Sequence, residues 1–258
     1  MLRRLGNKSR LLPVLLPLFP ENITTFVDMF LGSGAVAFAM VDRVKYVIAN
    51  DNDDDVYNLF FVVKERKEEL LDALTTMPVH ESLFKHWKET EEQDPVWKAV
   101  RFLMLSNFGY MGKSEVFKFG SSNSKTYLLN EIQTTYFGNT IKFMNADFRD
   151  IFDKIYWIDE HRKAYTEAFI YADPPFLGTT HNYKTGFTES DTRDLFTILT
   201  SSGIRFALSE FRHPLVMALA EEHGLHVTSL GERRNMKNRR EEILITNFST
   251  ERQQVTMF

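Results

Sequence analysis

Cysteine is absent from the 258-residue chain. That absence removes a disulfide framework, thiolate zinc sites, iron–sulfur ligation and every mechanism built on a cysteine nucleophile. No stretch reaches the roughly 18 consecutive apolar residues that a membrane span needs. The N-terminus carries Arg3, Arg4, Lys8 and Arg10 but no apolar segment leading to a cleavage site, so a cytoplasmic location is expected. Glycine and proline are sparse, at 12 and 8 residues, which leaves no low-complexity linker. The seven histidines are scattered without a paired carboxylate motif. No metal site is expected, and His223 with His226 reads as a helix end and a strand start.

What is present is the composition of a globular protein, with 43% hydrophobic and 26% charged residues. The length suits one large domain or one domain carrying an insertion. A net charge of −4 gives no global attraction to nucleic acid, yet residues 1–10 hold four bases and no acid, and Arg233 to Arg240 holds five bases in eight positions. Taken singly, each cluster reads first as a solvated face.

Seven short β-branched or aromatic runs have strand length: 26–30, 46–50, 142–145, 169–172, 205–209, 226–230 and 243–247. Helical patterns separate most of them, which indicates a parallel series. Only the basic segment joins the last two, too short for a parallel crossover, so the seventh strand should run antiparallel to the sixth. The expected fold is an α/β sheet of about seven strands with helices on both faces. Between the second and third strands, Val56, Leu59, Phe60, Val63, Leu70, Leu71 and Leu74 follow a helical period, and Asp94-Pro95 reads as an N-cap followed by proline at the first helical position. The later stretch from Asn107 to Asn123 mixes Gly, Lys, Ser, Asn and aromatics without periodicity. It reads as a connecting loop, with a composition that also suits stacking on and hydrogen bonding to bases.

The chemistry begins after the first strand, where Asp28 to Gly34 leads into Ala35-Val36-Ala37. Gly32 and Gly34 let the backbone approach a ligand closely. Asp51 ends the second strand, where a carboxylate suits ribose hydroxyls. Asn50 and Asp53 to Asp55 read as N-cap and solvated acids. As a bare pattern, Gly32-x-Gly34-x-x-Ala37 is also that of a tight strand-to-helix turn. The sharper signal is Tyr171-Ala172-Asp173-Pro174-Pro175-Phe176 after an apolar strand. Two prolines stiffen the chain, presenting the Asp173 carboxylate and the Pro174 carbonyl as adjacent acceptors for the two hydrogens of an exocyclic amino group. Phe176 offers a ring for stacking a base. Hydrogen bonds to both of those amino hydrogens direct the nitrogen lone pair out toward an electrophile.

These residues, in this order, resemble the Dam-type adenine DNA methyltransferases of the alpha group. Gly6-Asn7-Lys8 with Leu11-Leu12-Pro13 is similar to that family's N-terminal motif, and Asp28 to Gly34 to its cofactor loop. Asn50-Asp51 is similar to its ribose site, Asp173-Pro174-Pro175-Phe176 to its catalytic motif, Tyr183-Lys184-x-x-Phe187 to the segment after it, and Asn238 to Phe248 to its closing hairpin. The resemblance implies a Rossmann-like class I methyltransferase sheet and transfer from S-adenosylmethionine, leaving S-adenosylhomocysteine, to the N6 amino group of an adenine flipped out of double-stranded DNA. It implies a catalytic domain of residues 1–55 and 140–258 and a target-recognition insertion of residues 56–139. Lys8 and Asp28 are then expected at the methionine end of the cofactor, Asp51 at the ribose, and Asp147 either at the adenine or as an N-cap. Arg4 stands where the family commonly has an aromatic that packs on the cofactor. Phe176 replaces the commoner Tyr.

DNA phosphates are expected at Arg233, Arg234, Lys237, Arg239 and Arg240, with Arg3 and Arg10. Sequence choice is expected from the insertion, at Lys113 and Asn123. Assembly is open between monomer and weak dimer. Three other readings remain: an amino-methyltransferase acting on RNA, an NAD-dependent oxidoreductase, and a DNA-binding module with an inactive methyltransferase fold.

Overall fold

The computed structural model describes residues 7–109, 117, 122–138, 140–155, 167–177, 186–234 and 239–250, and only the backbone of 122–124, 233, 234 and 239. The described residues form one seven-stranded sheet: β1 Thr25–Asp28, β2 Tyr46–Asn50, β3 Ile141–Met144, β4 Ala168–Ala172, β5 Arg205–Phe211, β6 His226–Arg234 and β7 Arg239–Thr246. Their order is β3-β2-β1-β4-β5-β7-β6. The first five pair in parallel, and β7 runs antiparallel to both β5 and β6. The expected fold class, including the reversed last strand, is therefore observed. All residues of β1 and β4 are buried, as central parallel strands covered on both faces must be.

The helices are α1 Leu12–Leu15, α2 Ala35–Met40, α3 Asp54–Glu65, α4 Lys67–Thr76, α5 Glu81–Glu89, α6 Pro95–Phe108, α7 Ser122–Thr134, α8 Ile151–Lys154, α9 Glu189–Ser201 and α10 Pro214–Glu222. On one face of the sheet, Phe26, Val47, Phe169, Tyr171 and Leu244 share a core with α2 through α7. On the other, Val27, Ile170, Phe206, Ile243 and Ile245 share one with α8, α9 and α10. Strand alternation thus supplies two cores from one set of runs.

The helices that lie between β2 and β3 continue the first core. Phe60 of α3 stacks on Phe143 of β3 at 5.6 Å between ring centroids. Val56, Leu59, Phe60, Val63, Leu70 and Leu74 are all buried. Asp94 caps α6 by accepting from the N–H groups of Val96 and Trp97, with Pro95 in the first turn. The aperiodic stretch differs from the expectation of a loop at both ends. Asn107 and Phe108 close α6 and are buried, and Ser122 and Asn123 open α7. An isolated antiparallel bridge joins Gly109 to Phe117. The glycines and polar residues there concealed helix termini, whose periodicity is too short to register.

The basic segment is strand at both ends. β6 and β7 extend into it, with Arg233 opposite Arg240 and Arg234 opposite Arg239. Four of the five cations therefore sit on paired strands, because cross-strand hydrogen bonds continue past the apolar run that marks each strand in sequence.

Candidate active site

The carboxyl ends of the parallel strands converge on a cleft of about 440 Å³ at the point where strand order reverses between β1 and β4, the usual ligand position in open α/β sheets. Asp28, Gly32, Asp51, Asp147 and Asp173 all border it.

The glycine loop is built by its backbone. Gly34 has φ +77 and caps α2, and a Cβ there would sit 2.2 Å from the Phe38 ring. Only glycine meets both conditions. The Gly34 N–H donates to the Leu31 carbonyl at 2.7 Å. Asp51 holds the same loop from the β2 side: one oxygen accepts from the Gly32 N–H at 2.7 Å and the other from the Asp53 N–H at 2.9 Å. Asp53 caps α3, accepting from the Asp55 N–H. Asn50 is not an N-cap, contrary to the sequence reading. It is 1% exposed, donates to the Met29 and Ala146 carbonyls and accepts from the Ala146 N–H. Its amide ties the ends of β1 and β3 across β2, a role that only tertiary proximity creates. Asp55 is likewise not a solvated acid: it is buried, 3.7 Å from Lys98.

Asp147 caps the 3-10 turn Phe148–Asp150, accepting from the Arg149 N–H at 2.9 Å. Phe148 meets Phe30 and Phe187 at 5.6 and 5.8 Å between centroids, which makes an aromatic wall on the cleft. The Arg149 guanidinium lies over Phe148 at 4.4 Å and pairs with Asp191, Asp194 and Asp147. Its hydrogen bond to Asp191, above all, raises its pKa.

At the end of β4, Lys8 reaches across from the N-terminal segment and donates to Asp173 Oδ1 at 2.6 Å. Its ammonium also lies 3.1 Å from Glu242 Oε1 on β7 and 4.6 Å from the centre of the Phe176 ring. Lys8 and Glu242 are 3% and 2% exposed. Pro174 is buried and Pro175 borders the cleft. Phe176 is 8% exposed, edge-on to Phe211 at 4.4 Å. Burial, with Asp173 close by, pushes the Asp28 carboxyl up to about 8. Burial also pushes Glu210 up to about 8, although its oxygens accept from the Phe211 and Leu177 N–H groups. The Tyr171 hydroxyl, bonded to Ser209 at 2.9 Å, is raised well above its ordinary value by burial first and Asp173 second.

Sequence reasoning missed Glu210, Glu242 and Arg149. Glu210 carried a signal, a lone acid at the carboxyl end of an apolar strand. Glu242 carried none, because Glu241 precedes it and both faces of β7 are apolar farther on. Arg240 is exposed; its guanidinium is 3.5 Å from the Leu177 carbonyl and 5.5 Å from the centre of the Phe211 ring. Arg4, Lys113 and Lys237, and the side chains of Asn123, Arg233, Arg234 and Arg239, lie outside the described residues. Among the described residues no cluster of three His, Asp or Glu side chains could hold a metal ion, and no helix is long and apolar enough to cross a membrane.

The arrangement suits a ligand with hydroxyls and positive charge. The cleft is bordered by carboxylates, and its cations Lys8 and Arg149 are already paired with acids. A pyrophosphate would meet this rim unfavourably, whereas it needs backbone donors and unpaired positive charge. The comparisons with known proteins agree with a methyltransferase. The modification methylase StsI of Streptococcus sanguinis is 28% identical, over 96% of this chain and 43% of that protein. The type II methyltransferase M1.LlaDCHI of Lactococcus lactis subsp. cremoris is 25% identical, over 94% of this chain and 93% of its own. The DNA adenine methylase of Escherichia coli (strain K12) is 30% identical, over 64% of this chain and 62% of that enzyme. The chain thus spans less than half of one such relative and nearly all of another. A model of the D12 class N6 adenine-specific DNA methyltransferases matches residues 5–238, and the chain belongs to that family.

Proposed function

We propose that this protein transfers a methyl group from S-adenosylmethionine to the N6 amino nitrogen of an adenine flipped out of double-stranded DNA. The observation that carries the reading is the Lys8–Asp173 ion pair at the end of β4, beside the cleft bordered by Gly32 and Asp51. It supports the reading because it brings a carboxylate that would accept from an amino group beside a cleft that would hold a nucleoside.

The donor set fits S-adenosylmethionine. Asp51 would accept from the ribose hydroxyls, the wall of Phe30, Phe148 and Phe187 would take the adenine with Asp147 at its rim, and Asp28 and Lys8 would face the methionine end. The cofactor supplies an electrophilic methyl carbon on a positively charged sulfur. Asp173 and the Pro174 carbonyl orient the amino hydrogens, which aims the nitrogen lone pair along the line of displacement. The base must leave the stack, because the amino nitrogen of a paired adenine faces its partner. Phe176 is held between Lys8 and Phe211, so stacking on an extruded base requires that ring to turn outward. Residues 1–55 and 140–258 would form the catalytic unit, and residues 56–139, with Lys113 and Asn123, would choose the sequence. Its place of action is wherever the cell holds duplex DNA.

Incubation with tritium-labelled S-adenosylmethionine and unmethylated duplex DNA, followed by nucleoside analysis, tests this. Label in N6-methyladenine is expected, and Asp173→Ala should reduce the rate more than about 100-fold. Label in RNA alone, or a near-normal rate in the variant, would sink the reading.

A further inference from the structure

One buried carboxylate at the site has no part in the mechanism just given. Glu242 enters from β7, where it stands opposite Phe211 of β5 and Gly231 of β6. Alternation along β7 puts Glu242 on the same face as the buried Leu244 and opposite to Ile243. Across from it, β6 carries a bulge between Ser229 and Gly231, whose φ is +104. The ammonium is therefore shared, 2.6 Å from Asp173 and 3.1 Å from Glu242, with all but 3% of the lysine enclosed.

A lysine paired with Asp173 alone would neutralise it and weaken its pull on an amino group. One ammonium between two carboxylates leaves the trio with a formal charge of −1. The transfer moves positive charge towards that trio. As the N6 lone pair forms the nitrogen–carbon bond, the carbon–sulfur pair stays with sulfur, which becomes a neutral thioether. The amino nitrogen then carries the positive charge until its extra proton leaves by way of Asp173 to water. Negative charge fixed beside that nitrogen acts where charge develops. Of the other ionisable groups around the trio, burial pushes the carboxyls of Asp28 on β1 and Glu210 on β5 up to about 8 and raises Tyr171 on β4 well above its ordinary value.

We infer that Glu242 is a positioning residue for methyl transfer, acting through Lys8 to fix the Asp173 carboxylate and keep it net anionic. The inference rests on the proposed adenine methylation.

The test is single-turnover methylation of unmethylated plasmid DNA with labelled S-adenosylmethionine. It compares wild type, Glu242→Gln, Lys8→Met and the double variant, with cofactor and DNA dissociation constants measured beside each rate. Glu242→Gln should lose roughly 10- to 100-fold in rate, with both dissociation constants within about twofold of wild type. On a Lys8→Met background the same change should cost nothing further, because the path through lysine is already cut. If Glu242→Gln does not fold, Glu242→Asp carries the test: it keeps the charge one methylene farther away and should retain at least about a tenth of the wild-type rate. A normal rate in Glu242→Gln, a loss that adds in full to that of Lys8→Met, or an equal loss of cofactor affinity would each overturn the inference. A wild type that labels no adenine overturns the proposed function itself, whereas an active wild type with an equally active Glu242→Gln overturns only the role of Glu242.

Discussion

Asp51 holds a loop with both oxygens of one carboxylate. They accept from the N–H groups of Gly32 and Asp53, which ties the glycine loop to the start of α3. In the proposed function the same group also accepts from the ribose hydroxyls of the cofactor. Hydrogen bonds to a charged group contribute on the order of 1.5–3 kcal/mol, so Asp51→Ala should weaken S-adenosylmethionine binding at least about tenfold. Calorimetry checks this, and an unchanged affinity would place the cofactor elsewhere. At this scale the sequence was legible wherever the chemistry is local. The two glycines and Asp51 stand within one β-α-β stretch, and Asp173-Pro174-Pro175 declares itself by stiffness. Asn50 was misread because its partners, Met29 and Ala146, lie just beyond the ends of other strands.

The β6–β7 hairpin is the element with the most charge. Arginines directly opposite one another on paired strands repel, and the register puts Arg233 against Arg240 and Arg234 against Arg239. A phosphate backbone would relieve that repulsion. Replacing Arg233 and Arg239 together by Ala should weaken binding to all duplexes alike and flatten the salt dependence by about 0.9 per lost phosphate contact. Titrations at several salt concentrations would show it; a changed sequence preference would instead assign base reading to the hairpin. The reach of the hairpin was hidden in sequence because strand ends rich in Arg and Glu resemble a loop by composition, and only the partner strand reveals the ladder.

Across the whole molecule, the carboxyls of Asp28 and Glu210 rise from 3.8 and 4.5 to about 8. The folded chain therefore holds protons that the unfolded chain releases. Stability from these two groups is complete below about pH 4 and is lost as pH climbs to about 8. Surface acids with lowered values, such as Glu69 and Glu81, act oppositely but only near and below pH 4. The melting temperature of the cofactor-free protein should fall between about pH 5.5 and 8.5, and Asp28→Asn should flatten that slope. A melting temperature that rises over this range would show both carboxyls to be ionised.

The chain by itself determined its strands, its helical segments, the glycine turn and the acceptor motif, because each rests on neighbours within a few residues: alternation, a 3.6-residue period, a cap, a stiff dipeptide. Tertiary structure decided what sits beside what. Lys8 meets a carboxylate 165 positions away, and β7 slots between β5 and β6 rather than at the sheet edge. That insertion carries Glu242 to the same ammonium. No period or motif encodes such a meeting, since it depends on the order in which the strands pair and on their register.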